Sequence, residues 1–345
     1  MKTIFTLLFA ACLGTAAFAQ DDQTTPYLTK SLANDGINSV IVSTSAGGIN
    51  VSGKSGEAPR IEVYIKGNNG RDLSKEEIKK RLDEDYEMTI AVNGHELNAT
   101  VKNKHDHIDW NSHGLSISFK IYVPEQVSTN LHTSGGGIML DNLKGNETFS
   151  TSGGGLMLEK ISGTIVGKTS GGGIIVTDCS NDIDLHTSGG GIIAKGCEGK
   201  IRLVTSGGGL ELENLKGTIY AHTSGGGVEG NHIEGELTTG TSGGSIDLGD
   251  MACSLEANTS AGGIRAQMRT IGKYLKLRTS AGNIDLEIPG KQGLDLDLSG
   301  QRISDNRLTN FSGTWDKRHV TGSVNGGGIP VEAHATSGDI DVRVR

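Results

Sequence analysis

The sequence predicts an all-β protein: a parallel β-solenoid (β-helix) of 18-residue coils, with one short helix inserted near the N-terminus. Three observations carry this prediction. Thr-Ser recurs at 133, 151, 169, 187, 205, 223, 241 and 259, an unbroken step of 18 residues over eight copies. With each threonine counted as position 0, positions 5 and 7 are apolar in nearly every copy, as are positions 14 and 16 in most, so each repeat holds two short strands with one face turned inward. Positions 2 to 4 read Gly-Gly-Gly in six copies, which lets one corner of the chain sit directly on the next. A propeller blade needs about 40 residues, too many for this unit. Identical columns at constant spacing imply about ten or more coils, each strand pairing with its equivalent one coil on, at a rise of roughly 4.8 Å.

Taken in chain order, residues 1–19 read as a secretory signal: Lys2, an apolar run from Ile4 to Ala17, and the cleavage pattern Ala17-Phe18-Ala19. A second reading makes Cys12, after Phe9-Ala10-Ala11, a lipid-attachment site; cleavage there leaves an apolar stub, Leu13 to Phe18. No later stretch is long enough to span a bilayer. The expected location is the periplasm, the outer surface or the extracellular space.

Residues 20–130 form the lead-in. Thr44-Ser45-Ala46-Gly47-Gly48-Ile49 is an early copy of the repeat, and Ile61 to Ile65 alternates as a strand. Ser74 and Glu77 make a capping box, and Ile78 with Leu82 gives an apolar stripe, so residues 74–84 are expected to be helical. Strands are expected at 86–92, 96–102 and 115–123. Residues 131–289 are the regular solenoid. Residues 290–345 lose the period, and are expected to be an irregular closing segment ending in a last half-coil at Ala335 to Val342.

Within the regular part, alternation places each threonine inward and its serine outward. Position 12 is Gly145, Gly163, Asn181, Gly199, Gly217 and Gly235 in the first six copies, and reads as a left-handed turn. Position 10 places Cys179 and Cys197 in a buried apolar column on adjacent coils. Two small core residues, a coil-to-coil disulfide and a metal pair all fit that placement. Position 6 faces outward, yet reads Met139, Met157, Ile175, Ile193 before turning acidic at Glu211, Glu229 and Asp247. An apolar stripe on an outer face is either covered or a contact site. The helix at 74–84 is the internal candidate to cover it or to close a solenoid end; an external partner or a homodimer is the alternative.

Composition excludes several functions. With Lys+Arg 32 against Asp+Glu 40, the formal charge is −8, which argues against nucleic acid. Aromatics at 4% leave few stacking platforms for sugars or bases. Glycine at 53 residues with only 5 prolines and no three-residue period is not collagen. The repeat corner lacks the aspartate that a calcium-binding roll needs. His105, His107 and His113 make only a weak metal pattern, and His132, His186 and His222 share a column but stand too far apart to share an ion. The serines have no paired His and Asp, so no nucleophile is indicated. No catalytic residue, metal or cofactor is expected.

The repeated Thr-Ser-Gly-Gly-Gly-Ile/Leu, the early Thr-Ser-Ala-Gly-Gly-Ile at 44–49 and the closing Thr-Ser-Gly-Asp-Ile-Asp-Val at 336–342 resemble a bacterial family of candidate adhesins of unknown function. These are exported β-solenoids, some described as auto-transporter adhesin head domains, and the likeness spans about 40–345. The resemblance implies a non-enzymatic cell-envelope or surface interaction scaffold that contacts a protein or a glycan, and it carries no catalytic residue over. The alternatives are a polysaccharide-active β-helix enzyme using the acids at 211, 229 and 247, and a purely structural periplasmic spacer.

Overall fold

The computed structural model describes residues 25–54, 56–105, 113–306 and 308–345. The expected signal peptide and Cys12, and the segment containing His107, lie outside the described residues. The protein is a parallel β-solenoid of about nine coils, with a single α-helix among the described residues. Each coil joins a short strand, such as Ile174–Thr177, to a longer one, such as Ser180–Thr187. Strand pairing is parallel and in register at 18 residues: Ile174 pairs Ile192, and Thr169 pairs Thr187. The two strand types form two faces with the core between them. Positions 5, 7, 10 and 14 are buried along the stack, with Ile174, Val176, Cys179 and Ile183 all at most 1% exposed.

Chain order and spatial order diverge at both ends. The coil Ser39–Thr44 and Ile49–Ser52 lies between Ser128–Thr133/Ile138–Asp141 on one side and Glu96–Asn103/Leu115–Tyr122 on the other. Beyond it, Arg60–Gly67 and Tyr86–Asn93 pair antiparallel with the outermost parallel strands. At the far end Ile329–Ala335 and Ile340–Val344 slot between Ile264–Thr279/Ile284–Ile288 and Leu294–Ser299/Ile303–Asn306. The closing segment is therefore not irregular. It forms strands, and the hairpin Phe311–Trp315/His319–Val324 adds antiparallel edges. Antiparallel ends blunt the open parallel edges that would otherwise recruit another chain.

The helix Lys75–Asp85 starts where Glu77 N–H donates to Ser74 Oγ at 3.2 Å, and it buries Ile78 and Leu82. It packs against Tyr86–Asn93 and Arg60–Gly67, strands from the N-terminal ends of both faces. It closes that end of the core; of the two places expected for it, the structure shows the solenoid end.

The corners explain the repeat. Every threonine of the column from Thr133 to Thr279 is at most 5% exposed. The Thr205 hydroxyl donates to the Gly190 carbonyl of the preceding coil at 2.7 Å and accepts the Gly208 N–H of its own corner at 3.3 Å. One side chain thus satisfies a backbone acceptor of one coil and a backbone donor of the next. Valine at 205 keeps the shape and orphans both groups. Thr205→Val is expected to cost about 2 kcal/mol in urea unfolding, with Thr205→Ser costing less, since a buried unpaired donor or acceptor is worth roughly 1–3 kcal/mol. Equal midpoints for the valine variant and the wild type would show that the hydroxyls are ornamental.

A second left-handed column was not expected. Position 9 has positive φ in every regular coil: Asn142, Lys160, Asp178, Gly196, Asn214, His232 and Asp250 lie between 50° and 64°. Position 12 is positive from Gly163 to Gly235, with Asn181 at 86° and Gly217 at 126°, but not at Gly145, where the expected left-handed turn is not taken. In the last coil Ala335, not Thr336, takes the threonine column, pairing with Thr279. The register is set by Gly338 and Ile340 rather than by the Thr-Ser pair.

Candidate functional site

The apolar stripe is continuous in space. Met139, Met157, Ile175 and Ile193 follow one another in register, with Asn50 before them and Glu211 after. All four are half-buried, each covered in part by its neighbours in the ladder. Asn50 Nδ2 lies 3.5 Å from Met139 Sδ, and Lys120 is the next residue beyond Asn50. The helix sits at the end of the stack, against other strands.

The acidic continuation of the column is laced by cations. Lys195 bridges Glu211 at 2.8 Å and Glu213 at 3.0 Å, and Arg265 reaches Asp247 at 3.5 Å. These carboxylates are arranged as a solvated, cross-linked face.

Cys179 and Cys197 stand on adjacent coils, both buried, and the structure holds them as free thiols. Hydrogen bonding with Cys197, then burial, pushes the Cys179 thiol well above its usual range, away from reactive thiolate chemistry. Burial alone pushes Cys253 up to about 12. Among the described residues no three His, Cys, Asp or Glu side chains come together as a metal site. His113 lies 3.7 Å from Asp85. His132 bonds Ser150 at 2.9 Å and His186 bonds Asp184 at 2.7 Å, while His222 stacks on Tyr220 with centroids 6.3 Å apart.

Sequence reasoning missed a cleft at the C-terminal end of the stack, about 770 Å³ in volume. Three separate segments build it. Ser299 and Arg302 come from the corner of the outermost coil, His334 and Asp339 from the corner of the intercalated coil, and Lys317 and Arg318 from the turn of the closing hairpin. That turn is fixed: the Asp316 carboxylate accepts the backbone N–H groups of Arg318 at 3.0 Å and His319 at 3.1 Å, which holds its pKa below the usual range. The turn is tied to the outer coil by Ile303 N–H donating to the Lys317 carbonyl at 2.8 Å and Gly300 N–H to the Arg318 carbonyl at 3.0 Å. Arg302 pairs with Asp339 at 2.7 Å, and Ser299 Oγ meets His334 Nδ1 at 2.6 Å. No motif marks such a site, because its residues are adjacent only after the chain has doubled back.

Comparison with known proteins adds a family. Among solved structures, a candidate cell-adhesion protein from Clostridium sporogenes shares 11% identity, covering 92% of this chain and 98% of that one with a TM-score of 0.20. A candidate adhesin from Bacteroides fragilis shares 11%, covering 92% and 96% with a TM-score of 0.24. Likenesses that faint carry no inference about activity. No curated protein matches the chain. The family model called Toastrack DUF4097 matches residues 49–343, nearly the whole described solenoid, and the chain belongs to the Toastrack DUF4097 family.

Proposed function

We propose that the protein is an exported, non-enzymatic interaction scaffold of the cell envelope or surface, adhesin-like, that acts by presenting contacts on a rigid stack. The observation that carries this reading is the half-exposed stripe Met139, Met157, Ile175 and Ile193 on an outer face that is otherwise polar.

Its occupant in this reading is a second copy of the chain. A two-fold axis parallel to the short strands, passing between Met157 and Ile175, reverses the stack and lays each column on itself. Met157 then faces Ile175 and Met139 faces Ile193. Lys120 falls opposite Glu229, Asn50 opposite Glu211 and, in the next outward column, Asp141 opposite Lys195. The apolar centre is self-complementary, and each of these charged pairs joins opposite signs. Strands about 13 Å wide over eight coils of roughly 4.8 Å give only about 500 Å² per copy, below the usual ~800 Å². The dimer is therefore expected to be concentration-dependent.

Sedimentation velocity from about 1 to 200 µM reads this directly. The wild type should shift from monomer to dimer, while Met157→Asp with Ile175→Asp should stay monomeric with its circular dichroism unchanged. If that pair unfolds the chain, Glu229→Lys should weaken the dimer and Lys120→Glu in the same chain should restore it. A wild type that stays monomeric throughout, or a Glu229→Lys variant that dimerises as well as the wild type, sinks the pairing.

A further inference from the structure

We propose that the C-terminal cleft binds the anionic groups of an acidic oligosaccharide, bearing sulfate or carboxylate, which runs along the serine corner of the solenoid. The site is separate from the stripe and does not depend on dimerisation.

The cleft gathers three permanent cations, Arg302, Lys317 and Arg318, against one carboxylate, Asp339, in a protein whose overall charge is −8. That carboxylate is committed to Arg302, and Asp316 is turned onto the backbone of its own turn. Among the described residues neither Lys317 nor Arg318 has a carboxylate partner. Two cations held side by side without one, on a turn fixed by four hydrogen bonds to its backbone, form a preorganised receptor for a multidentate oxyanion. Guanidinium geometry suits sulfate and carboxylate alike. His334, hydrogen-bonded to Ser299, adds a neighbouring polar ring.

The direction of the ligand follows from the columns leading into the cleft. The residue preceding each corner threonine, or the Ala335 and Gly300 that take its place, forms one continuous ladder: Ser43, His132, Ser150, Lys168, His186, Val204, His222, Gly240, Asn258, Arg278, His334 and Ser299. It contains no Asp or Glu over its whole length. The neighbouring outward column is serine in every regular coil, exposed from Ser134 to Ser260. A second groove, about 420 Å³, lies on this corner between Lys168, His132 and His186 and the serines 152, 170 and 188. In the column two residues before the ladder, Asp184 and Glu332 are paired with His186 and Arg278, and Glu256 and Asp297 stand in the same column. The corner is thus a line of hydroxyls repeating at the coil rise, about 4.8 Å, and free of carboxylates in both columns. Hydroxyls match a sugar chain, and the cations match its charges. A phosphate-rich nucleic acid or an anionic membrane needs a broad basic face, whereas here Lys317 and Arg318 sit together in one cleft of a molecule whose formal charge is −8.

Isothermal titration of the intact protein at low salt tests this with four probes: a heparin-derived hexasaccharide for sulfate, hexagalacturonate for carboxylate, maltohexaose as the neutral chain and a ten-residue thymidine oligonucleotide. At least one acidic hexasaccharide should bind, and bind at least tenfold more tightly than maltohexaose and the oligonucleotide; the stronger of the two identifies the anion. Lys317→Glu with Arg318→Glu, both exposed, should weaken it at least tenfold with circular dichroism unchanged. Lys54→Glu, at the opposite end of the stack, should leave it unaltered. Lack of binding by both acidic hexasaccharides, equal binding of the neutral chain or the oligonucleotide, or retention of affinity in the double variant would each overturn the proposal. Sedimentation on the same samples reports the stripe independently, so failure of one assignment is not mistaken for failure of the other.

Discussion

Gly172→Ala is expected to lower the unfolding free energy by about 3 kcal/mol or more, whereas Gly171→Ala, one residue away, should be nearly neutral. The difference is steric. A Cβ on Gly172 would lie 2.1 Å from the Gly154 carbonyl oxygen and 2.4 Å from its carbon, both backbone atoms of the preceding coil. No rotamer change can relieve that contact, so the corner must separate. Separation also strains two hydrogen bonds of 2.7 Å, from Thr187 Oγ1 to the Gly172 carbonyl and from Thr169 Oγ1 to the Gly154 carbonyl. A Cβ on Gly171 would come no nearer than 3.3 Å to Gly153 O, and alanine already occupies that position as Ala46, Ala261 and Ala281. The third corner residue is glycine in every coil from Gly47 to Gly338, and in each a Cβ would meet a carbonyl of the neighbouring coil within about 2.3 Å. Because a repeat array unfolds by neighbouring units, the clearest readout is the urea midpoint together with hydrogen exchange at residues 150–190, where the loss should be centred. Midpoints that agree within about 0.5 kcal/mol for the two alanine variants would remove close approach as the reason for this glycine.

The same contrast shows what could be read from the chain alone. Strand columns were legible because burial imposes period two, and Ile174, Val176 and Ile183 obey it. The helix was legible because Ser74 and Glu77 mark its start chemically. Gly-Gly-Gly was legible as a corner, yet three identical letters hide three unequal positions: one with no room for a Cβ, and two that accept Ala, Ser or Asn. The left-handed residue at position 9 left a visible signal, Asn or Asp in four of its seven coils, but Lys160 and His232 blurred it. The intercalated coils left none. Whether Ile340 pairs with Ile284 or continues outward depends on contacts with segments tens of residues away. For that reason the stripe, which lies on consecutive repeats, was found in the sequence, and the cationic cleft, assembled by intercalation, was not.

Glu147 departs most sharply from its column, and it should make stability depend on pH near neutrality. It takes position 14, filled by Ile165, Ile183, Ile201 and Ile219 in the following coils, and is fully buried. Its one partner is the coil before it. The buried Thr129 hydroxyl donates to Glu147 Oε2 at 2.5 Å, while Oε1 has no hydrogen-bond partner among the described residues. Burial pushes the carboxyl up from 4.5 to about 7, and the Thr129 bond only partly opposes that rise. The sign follows from linkage. A folded-state pKa above the unfolded one means that the native protein holds this proton more tightly. The resulting stabilisation is fully present below pH 4.5 and is lost as pH rises through about 7. A shift of this size corresponds to about 3 kcal/mol. Other groups titrate over the same range, so the informative quantity is the difference between the wild type and Glu147→Gln, which retains an acceptor for Thr129 and cannot ionise. That difference should be flat below about pH 4.5, open in favour of glutamine between pH 5 and 7, and level off near 3 kcal/mol by about pH 8. Glu147→Ile, matching the rest of the column, should follow the same curve with a constant offset for the lost Thr129 bond. Parallel curves across pH 4–8 for wild type and glutamine would mean that the carboxyl ionises in the folded state as freely as in the unfolded one, and that the end of the core at this coil is open to water.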